Sequence, residues 1–441
     1  MDRQEQLFSV WFSLCTGVAN TEFPHVLSQF GSAYAVFRAE ESEIEALDIS
    51  DRFKAALQNK SLDQAYGIVD FCKQNGIGIL AYTDRAYPST LRALQAPPSL
   101  LYYKGSLPDF EHRLFIGAVG TRSMSEYGRE MAYRIGYELA STGTVVVSGM
   151  ALGVDAACAV GALSAKGCTV AVLGCGIDVC YPRQHDKLMR AIAQNGLILS
   201  EYPPSTPPRG YHFPVRNRLI SGLCAGTVIV EANLTSGAMI TAREAILQGK
   251  DIYAVPGNVG DENTSGTNRL IRDGAAVVLG ARDILDNYAF LYRDTVDMAR
   301  LLRAQERSDP DPAAFARFGV GLPADLAPQK SVRQVRDAVQ KQSGAIPKKP
   351  KAAAKEPEQP VAQVPEAASA QEPHADDSAA VLAQFSQRQR DMFAQIPLDK
   401  AISADWLVRC GYPTHEVMTA LTMFEIKGLL HSLPGGLYTR K

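Results

Sequence analysis

Apolar positions along the first 80 residues recur at helical spacing: Val26, Phe30, Val36 and Phe37, then Ala65, Ile68, Val69 and Cys72. This period predicts a small domain of helices over residues 1–80. From residue 81 the pattern changes. Short unbroken apolar runs alternate with helical stretches: LFIGAVG (114–120), TVVVSG (144–149), CTVAVLG (168–174), LILSEY (197–202), TVIVEA (227–232), DIYAVPG (251–257) and AAVVLG (275–280). Helices such as SEYGREMAYRIGYELAS (125–141) and ALGVDAACAVGALSA (151–165) separate them. A strand that is apolar on both faces belongs to a parallel sheet covered by helices on both sides. Residues 81–300 therefore predict an α/β domain with a doubly wound, mostly parallel sheet.

The periodicity stops after residue 300. Residues 301–380 include KKPKAAAKEPEQPVAQVPEAASAQEPHADD, rich in Ala, Pro, Glu and Lys and nearly free of aromatics. A segment with so little apolar area to bury predicts a disordered linker. Order resumes over 381–441, where three helical stretches precede a hairpin with a Pro-Gly-Gly turn, the pattern of a winged helix. Thr414 reads as the N-cap of the third helix.

Composition changes this picture little. At 441 residues and 46% hydrophobic content the chain predicts several domains. A net charge of −2 excludes a generally basic coat for nucleic acid, so any anion site must be local. Eight scattered cysteines with no CxxC pair predict neither zinc nor a disulfide framework, and they suit a reducing cytoplasm. No signal peptide and no apolar span of about 20 residues is legible, so no membrane partner is expected.

Candidate chemistry lies where the predicted strands end, since ligands of open parallel sheets sit at the carboxyl edge. Gly120, Thr121, Arg122 and Ser123 follow the first strand, and Ser148, Gly149 and Gly153 the second. LGCGID follows the third, Thr235, Ser236 and Gly237 the fifth, and PGN (256–258) the sixth. Together these loops predict a surface for phosphates. None matches GxGxxG or GxxxxGK[ST], so no nucleotide cofactor is expected.

The stretch FPVRNRLISGL (213–223) sets Arg216, Asn217 and Arg218 in the first turn of a helix whose apolar face is Leu219, Ile220 and Leu223. Cations there oppose the helix macrodipole at a cost of up to about 1 kcal/mol. Two readings stand. Arg216 or Arg218 pairs with Glu201 or Glu231, or the arginines clamp phosphates while Phe213 stacks on bases, as in proteins that hold single strands without reading sequence. No catalytic or metal constellation emerges. His212 is the one suggestively placed histidine, and Glu201 and Glu231 end strands read as neighbours.

Taken in order, YPSTLRALQAPPSLLYYKG (87–105), VGTRSMSEYG (119–128), SGMALGVDAACAVGAL (148–163), AVLGCGIDVCYP (171–182), SEYPP (200–204), FPVRNRLISGL, VIVEANLTSGAMITAREA (228–245), YAVPGN (253–258) and GTNRLIRDGA (266–275) resemble the DNA-processing protein A (Smf) family. The resemblance implies an extended Rossmann-like domain between a small helical N-terminal domain, of SAM-like or helix-hairpin-helix-like kind, and a C-terminal winged helix. It implies a non-enzymatic mediator that binds incoming single-stranded DNA, loads RecA recombinase during natural transformation and forms a homodimer. Carried over by motif, the DNA-binding residues are Gly120, Thr121, Arg122, Ser148, Gly149, Phe213, Arg216, Asn217, Arg218, Ser236 and Gly237. Leu270 and Ile271 become candidates for the dimer or RecA surface, with core packing as the equal alternative.

This chain departs from the family pattern at Ala159, where a His is usual, and at His185, where an Asn is usual. The presumed recognition helix, 414–427, carries Glu416 and Glu425 against His415 and Lys427. Duplex readers need a basic face, so a protein contact or accessory role is expected of the C-terminal domain. Two rivals remain, a Rossmann-like phosphoribohydrolase of nucleoside monophosphates and a nucleotide sensor. The loop EANLTSGAMITAREA lacks the PGGxGTxxE pattern of the former.

Overall fold

Turn chemistry divides the N-terminal part of the chain into α1 (Arg3–Thr16), α2 (Phe23–Phe30), α3 (Ala33–Arg38), α4 (Glu41–Glu45), α5 (Asp51–Gln58) and α6 (Asp63–Gln74). Gly31, in the left-handed region at φ 80°, ends α2, and the Ser32 hydroxyl accepts from Ala35 N at 3.1 Å to start α3. Their apolar stripes meet in one core that includes Trp11, Phe12, Phe23, Val36 and Leu57. The computed structural model describes residues 3–321 and, toward the C-terminus, residues 387–397 with shorter stretches between 385 and 440. These form two units, Met1–Pro347 and Lys348–Lys441.

The sheet of the first unit is built from β1 (Gly78–Ala81), then α7 (Ser89–Arg92), β2 (Leu100–Gly105), β3 (Phe115–Val119), α8 (Glu126–Ser141), β4 (Val145–Ser148), α9 (Val154–Ser164) and β5 (Thr169–Leu173). It continues through α10 (Asp186–Asn195), β6 (Leu197–Ser200), α11 (His212–Leu223), β7 (Gly226–Ile229), α12 (Gly237–Leu247), β8 (Asp251–Ala254), α13 (Ser265–Arg272) and β9 (Ala276–Val277). The nine strands run in the order β1-β2-β6-β5-β4-β3-β7-β8-β9. From β6 to β9 every pairing is parallel, while β1 and β2 add an antiparallel edge. One face packs on α8, α9 and the N-terminal helices, and the other on α7, α11 and α12. This is the expected α/β, Rossmann-like architecture, with winding that reverses between β3 and β7.

The structure differs from the sequence reading at both edges. β1 begins inside the stretch read as purely helical, because its four residues follow the turn at Gly76 and carry no helical period. β9 keeps only two residues of 275–280. Beyond them the Leu279 and Gly280 N–H groups donate to Asp283 Oδ2 at 2.7 and 3.1 Å, which turns the chain into α14 (Ala281–Leu285).

Residues 301–321, assigned above to a linker, are folded. Helices α15 (Met298–Gln305) and α16 (Pro312–Arg317) start at Asp297 and Asp311, whose carboxylates accept N-terminal N–H groups. Leu301, Phe315 and Val320 are buried, and the Phe315 ring packs 5.6 Å from that of Tyr133 on α8. Scarcity of aromatics describes the later part of the stretch; Phe315 and Phe318 anchor the earlier one. The linker reading for 322–380 lies outside the described residues.

In the second unit, α17 (Gln387–Gln395) accompanies an antiparallel sheet of β10 (Ile402–Ser403), β12 (Leu437–Arg440) and β11 (Leu430–Leu433). Phe393, Leu407, Leu421 and Phe424 are among its core residues. The helix read from Thr414 to Lys427 falls largely outside the described residues, and with it His415, Glu416 and Glu425. If the extension is part of the fold, Phe315→Ala lowers unfolding free energy by about 3–5 kcal/mol, measured by denaturant titration.

Candidate functional site

Where winding reverses, the connections leaving neighbouring strands diverge and open a crevice at the carboxyl edge. Between β3 and β7 the chain forms such a cleft, of about 430 Å³, bordered by Gly120, Arg122, Phe213, Arg216, Asn217, Ser236 and Gly237. Three of the five expected loops reach it directly. LGCGID supports it from behind, and PGN lies away, its Pro256 carbonyl accepting from the Tyr127 hydroxyl at 2.8 Å.

Close approach explains the glycines. A Cβ at Gly120 would stand 2.5 Å from the Val154 side chain and 2.8 Å from the Glu231 carbonyl. The Thr121 N–H donates to that carbonyl at 2.7 Å, joining the loops after β3 and β7. The Glu231 carboxylate accepts from Ser125 N at 2.8 Å and Ser125 Oγ at 2.6 Å, bracing the start of α8. Ser236 caps α12, its hydroxyl accepting from Ala238 N at 3.3 Å.

Arg216 forms the floor. It is 5% exposed, and its Nη1 donates to the Gly149 carbonyl at 3.1 Å and to the Val172 carbonyl at the end of β5. Its Nε donates to Asn217 Oδ1 at 3.3 Å, and Asn217 Nδ2 reaches the Gly237 carbonyl at 3.4 Å. A Cβ at Gly149 would sit 2.5 Å from the guanidinium, so the loop after β4 admits the arginine only because residue 149 is glycine. Asp155 accepts from Gly149 N at 3.0 Å and holds negative charge near the guanidinium. Burial pushes the Arg216 pKa down and the Asp155 pKa up, each opposed by the other's charge. A guanidinium nevertheless stays protonated in proteins.

Over this floor lies the Phe213 ring. The Arg216 guanidinium is 5.9 Å from its centroid, that of Arg122 5.4 Å, and the Tyr181 ring 5.3 Å. Gly174 makes room behind it, since a Cβ there would approach Phe213 to 2.9 Å. Arg122 is exposed and, among the described residues, bonds to no carboxylate. An aromatic face beside an open guanidinium can take a base and a phosphate together.

Arg218 does not border this cleft, and of the two readings of the arginines the pairing with Glu201 is the one the structure shows for it, in place of the phosphate contact. Residues two apart on a helix point about 200° apart, so Arg216 and Arg218 cannot share a face. Arg218 Nη2 donates to Glu201 Oε1 at 2.8 Å, in a pair with side chains 10% and 4% exposed. Its Nε donates to the Ala96 carbonyl at 3.0 Å. Ser148 is likewise structural: it is buried, with its hydroxyl donating to the Ala118 carbonyl at 2.7 Å. Glu201 and Glu231 do not end adjacent strands, because β5, β4 and β3 lie between β6 and β7. Leu270 packs in the core beneath α12, while Ile271 is partly exposed.

Tyr181 and Asp155 escaped the sequence reading as site residues, and Gly174 was named only within the loop LGCGID; Tyr181 left a trace, an aromatic before proline in a loop after a strand. Among the described residues no cluster of three His, Cys, Asp or Glu could hold a metal ion, and no helix is long and apolar enough to cross a membrane.

Arg218→Ala leaves Glu201 buried and unpaired, at a cost of about 3–5 kcal/mol seen as a lowered melting temperature. His185, buried with Nδ1 against the Met150 carbonyl at 3.0 Å, has its pKa lowered from 6.5 by burial. Because the unfolded chain takes up that proton first, its contribution is complete above pH 6.5 and is lost as pH falls below it. Thermal melts of wild type and His185→Asn between neutral and mildly acid pH should show a shallower decline in the variant.

The chain matches known proteins over this same region. The family model of DNA recombination-mediator protein A covers residues 78–289. DNA processing protein DprA of Bacillus subtilis (strain 168) is 35% identical over 240 residues, 54% of this chain and 81% of that protein. Its counterpart in Streptococcus pneumoniae (strain ATCC BAA-255 / R6) is 38% identical over 229 residues, 52% and 79% of the two chains. The X-ray structure of DprA from Streptococcus pneumoniae superposes with a TM-score of 0.55 at 31% identity, covering 64% of this chain and 97% of that one. With four-fifths of a relative matched at such identity, and the family model spanning the strands and loops that build the cleft, the chain belongs to the DNA recombination-mediator protein A family.

Proposed function

We propose that the cleft between β3 and β7 holds single-stranded DNA, with Phe213 stacking on a base and Arg122 neutralising a phosphate. The observation that carries this reading is the exposed Arg122 guanidinium over Phe213, beside Tyr181, at the edge where the winding reverses. Gly120, Thr121, Ser236 and Gly237 let the strand's backbone come close, and Gly149, Arg216 and Asn217 keep the platform in place. A stacked base contributes about 1–3 kcal/mol whatever its identity, which suits a protein that coats DNA without reading it.

Family membership extends the proposal. The protein acts in the cytoplasm as a homodimer that shields incoming single strands and loads RecA recombinase during natural transformation. The C-terminal winged helix is then a tethered protein-contact module, and Ile271 rather than Leu270 is the residue of α13 available to a partner. Glu231 is held by both Ser125 donors and Asp155 by backbone N–H groups, so both carboxylates brace the loops of the cleft.

Fluorescence anisotropy of a labelled oligothymidine across a salt series tests the proposal. Wild type binds the single strand more tightly than duplex, and Arg122→Ala lowers the salt slope by about 0.7, the share of one phosphate contact. Phe213→Ala weakens binding by about 1–3 kcal/mol with little change of slope. Weak binding to both DNA forms, with tight binding of a nucleoside monophosphate, would overturn it in favour of the nucleotide sensor.

A further inference from the structure

A second groove, of about 720 Å³, runs between α7 and the C-terminal half of α12, with Arg218 beneath it. It shares no lining residue with the cleft. Leu94, partly buried, and Leu247, 71% exposed, form its apolar walls. Glu244 and Lys250 border it as well, each half-buried and, among the described residues, in no ion pair.

Both walls are held in place. A Cβ at Gly222 would stand 2.9 Å from the Leu94 side chain, so the segment after α7 seats closely on α11. Ser89 N and Oγ donate to the Glu111 carboxylate at 3.1 and 2.8 Å, which fastens the start of α7. Across the groove, Gln248 Nε2 donates to the Arg218 carbonyl at 3.0 Å. Gly249, at φ 67°, then ends α12, and Lys250 N donates back to the Ala245 carbonyl at 2.9 Å. This turn sets Lys250 beyond the last turn of the helix. Glu244 and Gln248 stand one turn apart, about 6 Å along the axis, so α12 presents a carboxylate, then a leucine, then an ammonium in order.

We infer that this groove captures the C-terminus of another protein chain, one that ends in an apolar residue with Lys or Arg two places before it. Lys250 takes the terminal carboxylate, the last side chain lies between Leu94 and Leu247, and the basic side chain meets Glu244. Half-buried charges without an internal counter-ion favour a partner of opposite sign. Leu247 beside Lys250 calls for an apolar side chain and a carboxylate on one residue, which a chain end supplies. In an extended peptide the residue two places earlier lies about 7 Å back, the distance that separates the two ends of the α12 array. The inference is independent of the single-strand reading of the cleft.

The test is anisotropy of fluorescein-labelled Gly-Ser-Arg-Ala-Leu on the full chain, as free acid and as C-terminal amide. Wild type binds the acid about tenfold more tightly than the amide, the share of one charge-assisted hydrogen bond, and Lys250→Met binds the two alike. Glu244→Lys weakens binding of this peptide and strengthens that of Gly-Ser-Glu-Ala-Leu. Melting temperature and oligothymidine binding stay at their wild-type values in both variants, which separates the groove from folding and from the cleft. Wild type that binds acid and amide alike, or binds neither, overturns the inference, as does a preference for the acid that survives Lys250→Met.

Discussion

A buried cation governs the carboxyl edge of this sheet. Removing a guanidinium from water is costly unless its donors are met and its charge is balanced. Arg216 meets that demand with the carbonyls that end two different segments, Gly149 after β4 and Val172 at β5, and with the nearby charge of Asp155. The surrounding constraints follow. Residue 149 must be glycine, α11 must enter at a fixed height, and Phe213 is set over the arginine with Gly174 behind it. The platform proposed for DNA is therefore positioned by a polar network beneath it.

On the opposite face of α11, Arg218 does different work. Its partner Glu201 also accepts the Ala19 N–H at 3.1 Å, and Arg218 itself reaches the Ala96 carbonyl. One buried pair thus connects the turn between α1 and α2, the segment before β2, the end of β6 and α11. Similar logic recurs at Glu138, which receives Arg134 Nε at 2.8 Å, Ala281 N at 3.0 Å and Ser308 Oγ at 3.0 Å. That carboxylate fastens α14 and the turn after α15 to α8. In both places a buried carboxylate joins segments far apart in the chain.

The division of the FPVRNR motif into a site face and a stability face is plain helix geometry. The sequence offered Glu201 and Glu231 as partners for either arginine, and strand order decided that Arg218 meets Glu201. The apparent symmetry of Glu201 and Glu231 misled for the same reason: each follows an apolar strand, yet three strands separate them. Linker composition misled in another way, because Phe315 and Val320 are few in number but wholly committed to the core.

The sequence by itself determined the parallel sheet, the glycine-lined strand ends and the importance of the segment from Phe213 to Arg218. These follow from short-range facts: unbroken apolar runs need cover on both faces, and glycine marks close approach wherever it ends a strand. Only the tertiary structure decided which arginine faces solvent, which is buried under an aromatic ring and which pairs with Glu201. Those outcomes depend on carbonyls and carboxylates from segments distant in the chain, whose meeting is set by strand order. The antiparallel edge of β1 and β2 and the folded residues 301–321 belong with them, since each is held by packing against surfaces that no local pattern describes.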